Sequence, residues 1–145
     1  MTAYTEELRA RIPQDEYRAV IGQEFCELSY DFLGFVDIYK HLSKIIPKDK
    51  IVIDFGCYLA AQSYFFTEHK GYIGVDVVDM VRFSPANAVH YVMTIQDFLK
   101  TELPHLFAEC GKRAFMAVCS YVPDFDATEQ VRELFPNVFC YYPSS

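Results

Sequence analysis

Two aspartates and a glycine stand at the ends of short apolar segments, in a spacing that suits a strand, a turn, a helix and a second strand. Asp54 lies near the end of Ile51–Phe55 and is followed by Gly56, and Asp76 closes Tyr72–Asp76, 22 positions after Asp54. A carboxylate at the carboxyl end of a strand can accept both hydroxyls of a ribose. A glycine lets the backbone approach a ligand, because it has no side chain. Acids in these positions also cap the helix that follows a strand, and the spacing leaves that role open.

The segments that must position these residues read as strands separated by helices. Short runs rich in β-branched and aromatic residues predict five buried strands, at 51–55, 72–76, 89–93, 114–119 and 138–142. Alternating strands and helices predict a parallel sheet with helices on both faces. We therefore expect a single-domain α/β fold of three layers, Rossmann-like, with strand order 3-2-1-4-5. A ligand crevice is then expected at the carboxyl ends of strands one and four.

The helices between the strands are predicted from periodicity and from capping residues. Leu59–Lys70 repeats its apolar residues with helical spacing. The segment Thr94–Asp97 resembles a capping box that starts a second helix. Pro104 is expected to open a further turn or two, which Gly111 closes. Asp126 is expected to cap a last helix, with a glutamate three residues on.

The first 47 residues are predicted to form an N-terminal helical segment, and residues 48–145 the α/β core. Apolar side chains recur every three or four positions over Thr5–Ile46, which indicates one buried helical stripe. Gly22 and Gly34 weaken a continuous helix, so two or three helices are expected. Pro47 ends the run, because it has no N–H to donate.

Within this frame, two stretches carry a family resemblance. IVIDFGCYLAAQSYFF, followed by GYIGVDVVD, resembles the first two motifs of class I S-adenosylmethionine-dependent methyltransferases. In that family an acidic residue ends the first strand, a glycine-rich turn follows, and a second acidic residue ends the next strand. Asp54, Gly56 and Asp76 match these positions. The likeness runs from about residue 35 to the end, and only these two motifs are distinctive.

The resemblance implies S-adenosylmethionine as the cofactor and places further residues around it. Gln96-Asp97-Phe98 falls where the family has the residues beside the adenine ring, although the capping box alone also explains Asp97. Cys119-Ser120-Tyr121 falls where the fourth strand opens onto the transferred methyl group. The implied cofactor-binding residues are Asp54, Gly56, Cys57, Tyr58, Asp76, Val77, Gln96, Asp97 and Ser120.

The sequence departs from the family at two places. Tyr58 and Ala60 stand where the turn usually has glycines, and the ring of Tyr58 can rotate away, line the pocket or fill it. The chain also stops after the fifth strand, where the family adds an antiparallel pair. We expect the apolar edge Val138–Tyr142 to be covered by the N-terminal helices or by a second copy of the chain.

Three functions remain open on the sequence. The first is a methyltransferase acting on a small acceptor, with Tyr58, Ser120, Tyr121 and Asp124 around the crevice and no catalytic residue assigned. The second is an inactive module of the same fold that binds a protein partner. The third is a binder of another nucleoside, which the missing glycines disfavour, because they would admit a pyrophosphate.

Composition excludes several other classes. The 13 basic and 20 acidic residues give a net charge of −7 without a basic stripe, which argues against nucleic-acid binding. Five cysteines without a C-x-x-C pair, and four unclustered histidines, argue against a disulfide framework and a zinc site. No phosphate-binding loop or hydrolase nucleophile elbow is present. With no signal pattern or membrane span in the sequence, a cytoplasmic protein is expected.

Overall fold

The central sheet has five parallel strands in the order β3-β2-β1-β4-β5. The computed structural model describes residues 3–20, 35–120, 122, 125–135 and 137–140. The strands are β1 (Ile51–Phe55), β2 (Gly71–Asp76), β3 (Ala88–Val92), β4 (Phe115–Cys119) and β5 (Val138–Cys140). The predicted α/β class and strand order are therefore confirmed.

The central strands are buried on both faces, as their apolar composition predicted. Alternate side chains along a strand point to opposite faces, so each strand contributes to two separate cores. Val52, Tyr72 and Val118 belong to one core, and Ile53 and Ala117 to the other. We name these sides the α3 face, after the helix Phe35–Ile45 (α3), and the α4 face, after the helix Ile95–Cys110 (α4).

The α3 face is covered by the N-terminal segment. Its helices are α1 (Ala3–Arg11), α2 (Gln14–Val20) and α3 (Phe35–Ile45). Leu8, Ile12 and Tyr17 are buried there with Val36, Tyr39 and Leu42 of α3. The prediction of a helical N-terminal segment is thus confirmed, whereas Gly22 and Gly34 lie outside the described residues.

The α4 face is covered by α4 (Ile95–Cys110) and α5 (Phe125–Leu134). Thr94 caps α4 as predicted, because its Oγ1 accepts the N–H of Asp97 at 3.1 Å, and Gly111 ends the helix with φ 85°. Pro104 does not open a separate turn but lies inside α4, which continues through it. Asp126 lies in the first turn of α5 rather than before it.

The predicted helix Leu59–Lys70 is wrong. A short 3₁₀ turn, Ala61–Phe65, stands in its place. Ala60 has a left-handed backbone (φ 65°), so a right-handed helix cannot begin before Ala61. All the side chains from 61 to 66 are buried, which an amphipathic helix with one exposed side could not achieve.

The fifth strand is shorter than predicted among the described residues. β5 covers Val138–Cys140, and positions 141 and 142 lie outside the described residues. Phe139 packs against the core of the α3 face, on the side that the N-terminal helices cover. Coverage of the β5 edge by the N-terminal helices or by a second copy of the chain stays a prediction.

Gly74 of β2 is expected to tolerate no side chain. A Cβ there would lie 2.7 Å from Nδ1 of His90 and 2.8 Å from Sγ of Cys57. Gly74→Ala should lower the free energy of unfolding by about 1–3 kcal/mol through overpacking. Gly71→Ala is the matched control in the same strand, because its Cβ would meet nothing closer than 3.5 Å. Urea unfolding measures both, and equal stabilities of the two variants would contradict this packing.

Candidate functional site

The two strand-end aspartates lie on neighbouring strands and are joined through the turn that follows β1. β1 pairs with β2 along its whole length, with Asp54 opposite Gly74 and Phe55 opposite Val75. The N–H groups of Gly56 and Cys57 both donate to the carbonyl of Val75, at 2.7 and 3.3 Å. The turn is therefore fastened to the carboxyl edge of β2, where Asp76 stands.

Three alternate residues of this turn have a left-handed backbone. The φ angles are 82° at Gly56, 51° at Tyr58 and 65° at Ala60. These are the positions where the family resemblance expects glycines, yet only the first is a glycine. A residue with a Cβ loses about 1–2 kcal/mol in this conformation. Tyr58 and Ala60 thus have the backbone conformation of a glycine-rich turn, although neither is a glycine that could adopt it without strain.

Asp76 holds the turn and keeps part of its hydrogen-bonding capacity. Its Oδ2 accepts the N–H of Tyr58 at 2.9 Å, and its Oδ1 accepts the N–H of Val78 at 3.1 Å. Each oxygen of an ionised carboxylate has two acceptor positions, so two positions remain beyond these bonds. Asp76 is half-buried and is oriented by the backbone on both sides. This arrangement suits a carboxylate that receives two hydroxyls of a ligand.

Tyr58 and Val77 lie on the surface beside Asp76. Tyr58 is 39% exposed and Val77 is 63% exposed, although both are large apolar side chains. The side chain of Tyr58 is therefore not part of the protein core. Val78, whose N–H donates to Asp76, is exposed as well.

Asp54 has a different environment from Asp76. It is fully buried, and three side chains donate to its carboxylate. Tyr39 donates to Oδ1 at 2.7 Å, whereas Gln62 and Tyr72 donate to Oδ2 at 2.9 and 2.5 Å. Gln62 also donates to the carbonyl of Cys57 at 2.9 Å. Asp54 therefore ties α3, β2 and the turn to β1, and its oxygens point into the protein.

Burial dominates the protonation of Asp54. Desolvation of the charged form raises the pKa of this carboxyl to about 6, against the opposing hydrogen bonds from Tyr72, Gln62 and Tyr39. The negative charge of Asp76 raises it further.

Ser120, directly after β4, is buried under the same tyrosine. The hydroxyl of Tyr39 makes a short hydrogen bond with Oγ of Ser120 as well as with Asp54. One phenol thus joins the ends of β1 and β4, the two strands between which the crevice is expected. On the α3 face, this part of the crevice is filled by the protein itself.

Cys57 is buried and does not face a ligand site. Desolvation, followed by the charges of Asp54 and Asp76, raises the pKa of its thiol far above the ordinary value. Its sulfur packs over Gly74. The thiol therefore stays protonated at neutral pH, which does not suit a nucleophile.

Gln96 and Asp97 lie in the first turn of α4, the helix that follows β3. The N–H of Met93 donates to the carbonyl of Asp76 at 2.9 Å, which fixes the start of this connection at the edge of β2. Asp97 is exposed and Gln96 half-buried. The other two residues expected around the crevice, Tyr121 and Asp124, lie outside the described residues.

Sequence reasoning missed three residues that the fold brings to Asp54. Tyr39 falls in the apolar stripe predicted for the N-terminal helices, Gln62 in the predicted helix Leu59–Lys70, and Tyr72 in a predicted strand, so none of them is linked to Asp54 by the sequence. The one available signal was the polar pair Gln62-Ser63 inside a run that is otherwise apolar and aromatic, since buried polar groups require partners. Two of these three residues are far from Asp54 in sequence, so only the fold shows the contact.

No model of a known protein family matches this chain, and a search of curated proteins finds no significant match. Over the described residues, no group of three or more histidine, cysteine, aspartate or glutamate side chains is arranged to hold a metal ion. The assignment of the site therefore depends on its own geometry.

The left-handed backbone at Tyr58 gives an expected order of stabilities. Tyr58→Gly and Tyr58→Ala both remove the ring, but only alanine retains a Cβ in the strained conformation. The glycine variant should be more stable by about 1 kcal/mol. The control is the exposed Lys100 in helix α4. There Lys100→Ala should be more stable than Lys100→Gly by about 1 kcal/mol, because alanine favours a right-handed helix. Urea unfolding of the four variants tests this, and the same order at both positions would argue against a left-handed Tyr58.

The raised pKa of Asp54 predicts an unusual pH dependence of stability. Because the folded pKa of about 6 lies above the ordinary 3.8, the contribution of Asp54 to stability is largest at low pH. It is lost as the pH rises from about 4 to about 6, by about 3 kcal/mol in total. Asp54→Asn removes this loss, so its stability relative to wild type should increase by that amount between pH 4 and pH 7.

The measurement is the free energy of unfolding in urea at several pH values. Asp79→Asn, which changes an exposed aspartate, is the control for the removal of a surface carboxylate. Parallel pH curves for wild type and Asp54→Asn would contradict a raised pKa at Asp54.

Proposed function

We propose that this chain is a methyltransferase-fold protein that binds S-adenosylmethionine at the turn 56–60 and Asp76. The observation that carries the proposal is the left-handed backbone at Gly56, Tyr58 and Ala60, held by the Asp76 carboxylate. The N–H groups of this turn at positions 56, 57, 58 and 60 already have acceptors within the protein, so the polar contact with the ligand would come from the Asp76 carboxylate. Two remaining acceptor positions on Asp76 suit the two hydroxyls of the cofactor's ribose.

Retained backbone strain supports a binding role. Residues held in sparsely populated conformations cost of order 1–3 kcal/mol each and cluster at ligand-binding sites. Here Tyr58 and Ala60 carry this strain, and the carboxylate of Asp76 lies at hydrogen-bonding distance from the first of them.

The reaction would be the transfer of a methyl group from the sulfonium to a small acceptor. This displacement has a good leaving group, so the alignment of nucleophile and methyl carbon supplies much of the acceleration. A dedicated acid or base is not required, and we assign no catalytic residue. The net charge of −7 disfavours a nucleic-acid acceptor. A cytoplasmic location stays a prediction; none of the described helices has the length and apolar character needed to cross a membrane.

A second function is favoured by the buried Asp54. Its oxygens are taken by Tyr39, Gln62 and Tyr72, and Ser120 is covered by Tyr39. The amino-acid end of the cofactor would then lack the carboxylate that the resemblance implies. On this alternative, the chain is an inactive module of the same fold that binds a protein partner.

Calorimetric titration with S-adenosylhomocysteine tests the proposal. Wild type is expected to bind with micromolar affinity, and Asp76→Ala to bind at least about tenfold more weakly, because the ribose hydroxyls and the turn both lose their acceptor. Asp79→Ala removes an exposed carboxylate three positions away and should bind like wild type.

Absence of binding at millimolar ligand would overturn the cofactor proposal. Tyr58→Gly then separates two causes. If the variant binds where wild type does not, the tyrosine ring occupies the site. If neither binds, the module without cofactor is the remaining function, and a protein partner should be sought.

A further inference from the structure

The outer edge of β3 is open for pairing with another strand. β3 pairs with β2 on one side, and among the described residues no strand lies on its other side. Every residue from 77 to 110 is described, and the segments that directly precede and follow β3 in the sequence place no second strand beside it. Edge strands of this kind are templates for further β-pairing unless a protein blocks them.

The directions of the backbone groups follow from the register with β2. The N–H of Tyr72 donates to the carbonyl of Asn87, and the N–H of Met93 donates to the carbonyl of Asp76. In a parallel ladder the residues alternate between the two sides of a strand. The odd-numbered residues of this stretch therefore bond to β2, and the even-numbered residues direct their N–H and C=O groups outwards.

Three residues present these outward groups. The N–H of Ala88 already donates to the carbonyl of Pro85 at 3.0 Å, so only its carbonyl is available. His90 and Val92 each present an N–H and a C=O. The open part of the ladder is thus centred on His90.

This edge lacks the usual protection against pairing. From Ala88 to Met93 the sequence AVHYVM contains no Lys, Arg, Asp, Glu or Pro. Val89 and Val92 are each 53% exposed, on opposite faces of the strand. Natural edge strands are commonly blocked by charges, prolines or bulges. A neutral, apolar and straight edge indicates a surface that pairs.

We propose that the occupant is a second copy of this chain, which adds its own β3 antiparallel across a two-fold axis at His90. The two copies of His90 then exchange both of their backbone hydrogen bonds, as a hydrogen-bonded antiparallel pair does. The N–H of each Val92 donates to the carbonyl of Ala88 of the other copy. Val89 lies opposite Tyr91, so every cross-strand pair is uncharged.

Self-pairing fits this strand for two reasons. The only outward N–H groups, of His90 and Val92, both find a carbonyl in the second copy, and the occupied N–H of Ala88 is not needed. In addition, each chain carries a net charge of −7, which opposes contact over most of the surface. The neutral β3 edge brings no like charges into contact. The result is a continuous sheet through both copies.

Analytical ultracentrifugation of the full chain tests the proposal. We expect a dimer at concentrations up to about 100 µM, and a monomer for the double variant Val89→Lys and Val92→Lys. The lysines lower the net negative charge, so greater overall repulsion cannot cause the dissociation. Ile45→Lys places a lysine on an exposed apolar residue of α3 and should leave the dimer intact.

A second variant tests the backbone pairing directly. Val92→Pro removes an N–H that points away from β2, which an edge strand tolerates, and it should also give a folded monomer by circular dichroism. A monomeric wild type at these concentrations would overturn the proposal, and so would a dimer that survives both the lysine pair and the proline. Neither result depends on cofactor binding.

Discussion

The Asp54 carboxylate lies where water does not reach it, so its hydrogen bonds must come from the protein. Its donors belong to three different elements: Tyr39 of α3, Tyr72 of β2 and Gln62 of the 3₁₀ turn. The N-terminal helices, the sheet and the turn therefore meet at one side chain. Moving any of these elements away would leave a buried acidic group with unsatisfied oxygens, which is far more costly than a lost apolar contact.

This requirement also explains the connection between β1 and β2. Gln62 must reach both Asp54 and the carbonyl of Cys57, which keeps the chain close to the end of β1. A regular helix starting at residue 59 would carry Gln62 away from that carbonyl. The tight 3₁₀ turn instead brings Phe65 and Phe66 into the core under α1 and α3. The space that a crossover helix would fill on this face is taken by the N-terminal segment.

The two aspartates that look equivalent in sequence thus have separate roles. Asp54 is enclosed and structural, with its charge opposed by burial. Asp76 is half-buried, and it orders the turn while keeping acceptor positions directed to the outside. The division leaves one carboxylate enclosed at the strand ends and one with acceptor positions that the proposed cofactor would use. On the proposed function, the cofactor would lie on the β2 side of the turn, because Tyr39 bonds to both Asp54 and Ser120 between the ends of β1 and β4.

The sheet, its strand order and the capping of α4 by Thr94 could be predicted from the amino-acid sequence. Those features depend on apolar periodicity and on hydrogen bonds between near neighbours, both of which can be seen in a single sequence. The conformation of residues 58–66 and the role of Asp54 depend instead on contacts that form in the folded protein. The left-handed Tyr58 donates its N–H to Asp76, 18 positions away, and the hydrogen bond between Tyr39 and Ser120 spans 81 positions. Contacts across such distances leave no local pattern, because they arise when separate elements pack together.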